Sequence, residues 1–323
     1  MPAGSHAQDV VTTRRGLLAA VAMAVYGGLG APGASSGARL VAAPGGAVVG
    51  AGSSPDVPRT SSPGELRGVL NVVAHPDDDL LFLSPALVAS VRSGDPVHTV
   101  FMTAGDAGTG ARYWRRRERG VRAAYATMAA VADRWAPASD AEPTCVTLIL
   151  SASPQVRLSF VRLPDGGHGQ GYERNSYQSL SKLWTGQQAR IAAVDRSAAF
   201  SRTALVDLLA RVMVSSRPAV VRTQDFTGAF GDGDHDDHHA VAYLTREAAR
   251  RCGVPQRLES YLGYPIIRRP ANVTGGLLTA KSDAFTAYAR HDRQVCRPSD
   301  PACSARAYPA WLQRQYVSVA GLS

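Results

Sequence analysis

Two short clusters in this chain hold the residue types that do chemistry. The first is His75, Pro76, Asp77, Asp78 and Asp79, which closes an apolar run from Val69 to Val73. One imidazole and three carboxylates within five residues make a costly concentration of like charge. A cation among them relieves that cost, and a His/Asp donor set suits zinc. The second cluster lies in residues 231–243, GDGDHDDHHAVAY, with three imidazoles within five positions just ahead of an apolar helical pattern. His235 and His238 are three apart, so a first helical turn would carry both on one face. Each cluster alone has a plain reading, the first as a turn and the second as a solvated loop. Two of them, each at a strand-to-helix junction, point to one composite site.

The elements that must position them alternate along the chain. Residues 69–74 read as a buried strand, and Pro76, which has no N–H for a ladder, stops it near Ala74. A helix is expected over about 80–93, a strand over 97–103 and a helix rich in Ala and Arg over 113–134. A strand over 146–150 and apolar alternation over 158–163 follow, then a helix at about 202–214. A strand over 219–223 leads to the histidine cluster and a helix to about Arg251. This alternation predicts an α/β, Rossmann-like fold, a mostly parallel sheet with helices on both faces. Ligands bind such sheets at the carboxyl edge of the strands, where both clusters and the TAGDAGTG loop fall. Residues 164–178, too polar and glycine-rich for core, are expected at the rim of the site.

AHPDDD followed by HDDHHAV resembles the paired motifs AHPDDE and HPDHxA of the PIG-L/LmbE-like deacetylases, zinc-dependent enzymes acting on N-acetylglucosaminyl compounds. The resemblance covers about residues 67–295. It implies zinc ligation by His75, Asp78 and His238, with Asp77 as general base. It also implies a protonated His235 that stabilises the oxyanion, and either His235 or Asp77 as the donor to the leaving amine. Asp237 would orient an imidazole. The chain departs from the motifs at Asp79, where Glu is usual, and at Asp236, where Pro is usual. The family's R-x-x-E-x-x-A-A pattern is matched best by Arg117, with Gly120 in place of the acid, making Arg117 the expected sugar-binding residue; Arg115 with Glu118 is the competing register. Asp106, in a loop whose glycines allow close backbone approach, is either a second sugar contact or part of a plain turn. Lys281, His291 and Gln294 resemble a C-terminal family helix and receive no role.

The ends of the chain suggest export. Arg14 and Arg15 precede an apolar run to about Leu29, which looks like a Tat-type signal within residues 1–43, with a cleavage site among the small residues 31–38. Four glycines between Gly16 and Gly30 make that run a poor membrane anchor. Residues 44–66 read as a flexible lead into a domain spanning 67–323. Cys296 and Cys303 are close in sequence and favour a disulfide, after which Cys145 would pair with Cys252, one of three possible connectivities. Net charge is +9; three arginines and one aspartate lie in residues 1–43, so the remainder carries +7. Only Lys182 and Lys281 are lysines among 35 basic residues. The dispersed arginines fit a composition bias, so no nucleic-acid partner is expected.

The implied activity is zinc-dependent hydrolysis of the N-acetyl group of an N-acetylglucosamine-containing glycoside or glycoconjugate outside the cytoplasm. An amidase for another N-acyl compound, such as a thiol conjugate or natural product, is the alternative within enzymes. A sugar-binding protein without turnover is the third reading, and it has no use for the base Asp77 and the acid His235.

Overall fold

The computed structural model describes residues 66–322. The expected export signal, and the lead up to residue 65, lie outside those described residues. The described residues open with β1 (Val69–Val73), α1 (Asp78–Phe82), α2 (Ala86–Arg92), β2 (Val97–Thr103) and α3 (Ala111–Met128). β3 (Trp135–Pro137), β4 (Val146–Leu150) and β5 (Ser153–Leu163) follow, then α4 (Leu180–Thr185) and a small hairpin, β6 (Ile191–Ala192) with β7 (Ala199–Phe200). The chain continues through α5 (Arg202–Ser216), β8 (Val220–Gln224), α6 (Asp236–Cys252) and β9 (Arg257–Tyr261). It closes with α7 (Gly275–Ala289), α8 (Tyr308–Leu312) and β10 (Val317–Leu322).

The main sheet has the order β10-β9-β8-β1-β2-β5-β4-β3. β9, β8, β1, β2 and β5 are mutually parallel; β10 pairs antiparallel with β9, β4 antiparallel with β5, and the edge strand β3 antiparallel with β4. Val69 pairs with Val97 on one side and Val220 on the other, so β1 lies between β2 and β8. Period-two alternation then divides the strands between two cores. Leu70, Val72, Val100 and Met102 pack with α5 and α6, while Val73, Val97 and Phe101 pack with α2, α3 and α7. The expected fold class is therefore the one observed, and the expected strands coincide with it closely.

Three expectations need correction. The helix over 80–93 is two helices, because Pro85 has no N–H to continue the first. The helix over 113–134 ends at Met128; Ala130 turns to φ 54°, and Trp135 leaves to pair with Leu150 in the sheet. Cys296 and Cys303 form the expected disulfide, but Cys145 and Cys252 are free. Cys252 ends α6, where its thiol donates to the Ala249 carbonyl at 3.2 Å and accepts from Gln256 Nε2 at 3.2 Å; Cys145 sits one residue ahead of β4. Among the described residues no helix is long and apolar enough to cross a membrane.

Candidate active site

The first motif turns sharply where β1 ends. Asp78 N–H donates to the His75 carbonyl at 3.2 Å, and Asp77 takes φ 137°, a conformation an L-residue rarely adopts. Such a backbone costs on the order of 1–3 kcal/mol and persists only where its surroundings enforce it. Gln224, at the end of β8, secures the turn: its Oε1 accepts from Ala74 N–H at 2.9 Å, and its Nε2 donates to Asp78 Oδ2 at 2.7 Å. The second motif starts α6. His235 is the N-cap, its Nδ1 accepting the Asp237 N–H at 3.1 Å, and His238 follows in the first turn.

Parallel pairing of β1 and β8 brings the two motifs together. Asp78 lies between two imidazoles, its Oδ2 3.0 Å from His75 Nδ1 and its Oδ1 3.2 Å from His238 Nε2. Asp234 Oδ1 sits 2.8 Å from His238 Nδ1, and Asp237 Oδ2 sits 3.3 Å from His75 Nε2 while accepting the Gly166 N–H at 2.8 Å. His75, Asp78 and His238 are all buried. Burial presses the His238 pKa down, but Asp78 and Asp234 outweigh it and raise it to about 10. His75 is likewise raised, with Asp78 overcoming burial, and Asp78 is held well below the carboxylate range by the two imidazoles. The cage is thus built to hold positive charge. Donor atoms of His75, Asp78 and His238 lie within 4.8 Å of one another, and two imidazoles with a carboxylate fit zinc. A second donor group, His75, Asp165, His235 and Asp237, shares His75 with the first.

The family model described as PIG-L, GlcNAc-PI de-N-acetylase, matches residues 70–249, more than half of the chain and both motifs. The chain belongs to the PIG-L family. None of the curated proteins compared with it matches. Among solved structures it is similar to N,N'-diacetylchitobiose deacetylase from Pyrococcus horikoshii, with 14% identity, 79% of this chain and 83% of that chain covered, and a TM-score of 0.44. The antimicrobial A40926 pseudoaglycone deacetylase Dbv21 gives 18%, 69%, 81% and 0.42. The 4-carboxy-2-hydroxymuconate hydratase GalB from Pseudomonas putida KT2440 gives 14%, 80%, 95% and 0.40.

Against the PIG-L pattern, Arg117 is in the expected register, lining the same cavity as Asp77 and His235. Arg115 is exposed and lies over the Trp114 ring, whereas Arg117 is buried at the site. Its Nη2 donates to Asp77 Oδ1 at 2.6 Å and to the Pro76 carbonyl at 2.8 Å, and its Nη1 donates to the Gly105 carbonyl at 2.7 Å. Nε donates to Tyr288 Oη at 2.6 Å and lies 3.1 Å from Asp292 Oδ2. Four of its five N–H donors are engaged in this way, and Arg117 braces Asp77. The close approach that Gly105 permits, at φ 56°, is that of the Arg117 guanidinium. The acid missing at Gly120 has a steric cause: a Cβ there would meet Tyr288 Cδ2 at 2.7 Å, and Asp292 supplies the carboxylate from beyond α7.

Of its two readings, Asp106 fits the turn. Its Oδ1 accepts the Asp165 N–H at 2.9 Å and its Oδ2 accepts from Asn175 Nδ2 at 2.8 Å, and it is 1% exposed. It ties the loop after β2 to the loop after β5. Burial, with the charge of His75 next, presses the His235 pKa down to about 4. Since Nδ1 accepts a backbone N–H, the neutral ring carries its proton on Nε2. Asp77 is raised to about 8, chiefly by burial, against the opposing charge of Arg117.

These groups meet in a cavity of about 160 Å³ whose walls include His75, Asp77, Asp165, His235, Tyr264 and Trp311. A larger one, about 470 Å³, opens at the amino edge of the strands beside Val69 and Val97 and holds none of the motif residues. Asp165, Asp234 and Asp292 were not singled out by sequence reasoning. Asp165 has a visible signal, the Asp-Gly-Gly that closes β5, and Asp234 sits inside the second motif. Asp292 lies between His291 and Gln294, past the end of α7 at Ala289, whereas Tyr264 and Trp311 arrive from segments with no motif of their own.

Proposed function

We propose that this protein is a zinc-dependent hydrolase that removes the N-acetyl group from an N-acetylglucosamine-containing glycoside or glycoconjugate outside the cytoplasm. The observation that carries the reading is Asp78 shared between His75 and His238, with Asp77 beside it in the same cavity. Zinc held by His75, Asp78 and His238 would supply Lewis acidity toward the amide carbonyl and the attacking water. Asp77 Oδ1 is engaged by Arg117 and Oδ2 has no hydrogen-bond partner among the described residues, so in the ionised carboxylate Oδ2 takes the proton of the attacking water. Attack puts negative charge on the carbonyl oxygen, and the neutral His235 donates its Nε2–H to that oxygen. The carbon–nitrogen bond breaks as the nitrogen receives the proton that Asp77 holds, releasing acetate and the free amine. Asp237 keeps His75 oriented, and Asp234 does the same for His238.

The extracytoplasmic part of the reading is supported by the Cys296–Cys303 disulfide, which suits an oxidising compartment, and by Arg14 and Arg15 ahead of an apolar run. The test combines metal content with acetate release from a panel of N-acetylated glycosides and N-acetylated thiol conjugates. Stoichiometric zinc with release from the glycosides is expected. Release from the thiol conjugates alone would replace the sugar with the other N-acyl class, and zinc-loaded protein inert toward every member would overturn the hydrolase reading.

A further inference from the structure

The segment from Asp292 to Trp311 contributes Asp292, Gln294, Val295, Tyr308 and Trp311 to the cavity that holds Asp77 and His235. Its start is pinned. Asp292 Oδ2 accepts from Tyr288 Oη at 2.7 Å, Oδ1 accepts from Tyr113 Oη at 3.1 Å, and Arg117 Nε lies 3.1 Å from Oδ2. Its end is pinned as well. The buried Lys281 donates to the carbonyls of Arg314 at 2.7 Å and Trp311 at 3.3 Å, and Trp311 stacks on Tyr264 with centroids 4.9 Å apart.

Between those pins the chain from Arg290 to Asp300 forms no helix or strand, and Gln294 is exposed. The cross-link that closes this stretch is Cys296–Cys303, with Cα atoms 5.4 Å apart, and it begins at the residue after Val295. Cys303 is fully buried and anchors the bridge. Arg306, just past the bridge, donates from Nη2 to the Gln294 carbonyl at 2.9 Å.

We propose that the Cys296–Cys303 disulfide is a positioning element of the active site, holding Gln294 and Val295 as the substrate-facing wall and Asp292 behind Arg117. This rests on the deacetylase reading above. A wall that the substrate must order on arrival weakens binding, whereas a cross-linked wall is ordered beforehand. The link to catalysis is short, because Gln294 N–H donates to Asp292 Oδ1 at 2.9 Å, and Asp292 meets the guanidinium that braces Asp77. The bonds of Arg117 to the Pro76 and Gly105 carbonyls do not pass through the bridge, so its loss is expected to act on KM more than on kcat.

The experiment compares zinc-loaded wild type, the same protein reduced with dithiothreitol, and the double variant Cys296→Ser/Cys303→Ser. Reduction converts the bridge to two thiols as dithiothreitol closes to its cyclic disulfide. Expected in both altered forms are a KM for an N-acetylated glycoside about tenfold higher, the cost of ordering one or two side chains on binding, an unchanged zinc content and faster amide exchange at Gln294. Reductant should leave the double variant unchanged, which separates the bridge from the free thiols Cys145 and Cys252. A purely structural bridge would lower the melting temperature and leave KM alone. Unchanged KM in reduced, active wild type overturns the proposal. If no N-acyl compound is turned over, the deacetylase reading fails, and exchange at Gln294 decides the bridge alone, with full protection after reduction overturning it.

Discussion

Arg117 donates to Asp77 at 2.6 Å while its Nε lies 3.1 Å from Asp292, so one guanidinium ties the motif loop to the C-terminal segment. Asp77 sits in a strained backbone conformation, and Arg117 bonds both its carboxylate and the carbonyl of Pro76 before it. Arg117→Ala should therefore lower kcat by about 10²-fold, within the range of lost acid–base help, with a smaller change in KM and zinc retained. Arg117→Lys should not rescue it, because an ammonium cannot reproduce the planar fork. Steady-state kinetics on zinc-loaded variants decide the matter; a rise in KM at constant kcat would return Arg117 to sugar binding.

Asp234 is expected to govern metal affinity without touching the metal. Its Oδ1 lies 2.8 Å from His238 Nδ1 and accepts the N–H of His235 and of Tyr264. Orienting partners of this kind typically set affinity by about 10–100-fold. Asp234→Asn should weaken zinc binding by that amount in a chelator competition and regain most of its kcat at saturating zinc. His75→Ala, Asp78→Ala and His238→Ala should lose both metal and activity. Stoichiometric zinc in purified His75→Ala would count against the ligand assignment.

The parts of the site that lie within a few residues of one another were legible in the sequence. His75, Asp77, Asp78, His235, Asp237 and His238 sit in two dense runs, and strand–helix alternation places both at one sheet edge. The brace around Asp77 was not legible. Arg117 could be found by its register, but its role depends on Asp292, which lies 175 positions further on and is delivered by the packing of α7 against α3. Asp106 stays open between two readings in the sequence for a related reason: an acid in a glycine loop looks open to ligand until the loop after β5 folds over it and bonds both oxygens. The break at Pro85 is legible in the sequence, because proline has no N–H to continue a helix.

His98 should make the fold sensitive to acid. It lies on β2 with Nε2 2.8 Å from Ser159 Oγ, and burial, with the charge of Arg157 next, presses its pKa down to about 4. The unfolded chain takes up that proton near pH 6.5, the fold only near 4. The stability carried by neutral His98 is therefore full above about pH 6.5 and is lost as pH falls toward 4. After allowance for its partial exposure the loss is about 1–2 kcal/mol. Urea midpoints at pH 7 and pH 4.5 should drop further for wild type than for His98→Gln, and equal drops would refute the assignment.

The role of His235 turns on which ring nitrogen bears the proton. Its Nδ1 caps α6 by accepting the Asp237 N–H at 3.1 Å, which leaves Nε2–H as the donor of a neutral ring. A donor to the developing oxyanion is worth about 10²–10³ in kcat. An amide side chain can offer an N–H near the Nε2 position but cannot release a proton as an acid. His235→Gln should thus keep kcat within about tenfold of wild type, and His235→Ala should lose the full 10²–10³, both with zinc bound. If His235 instead protonated the leaving nitrogen, Gln and Ala would be equally inactive. In that outcome the proton donor would move from Asp77 to His235, and Asp77 would remain only as the base that receives the proton of water.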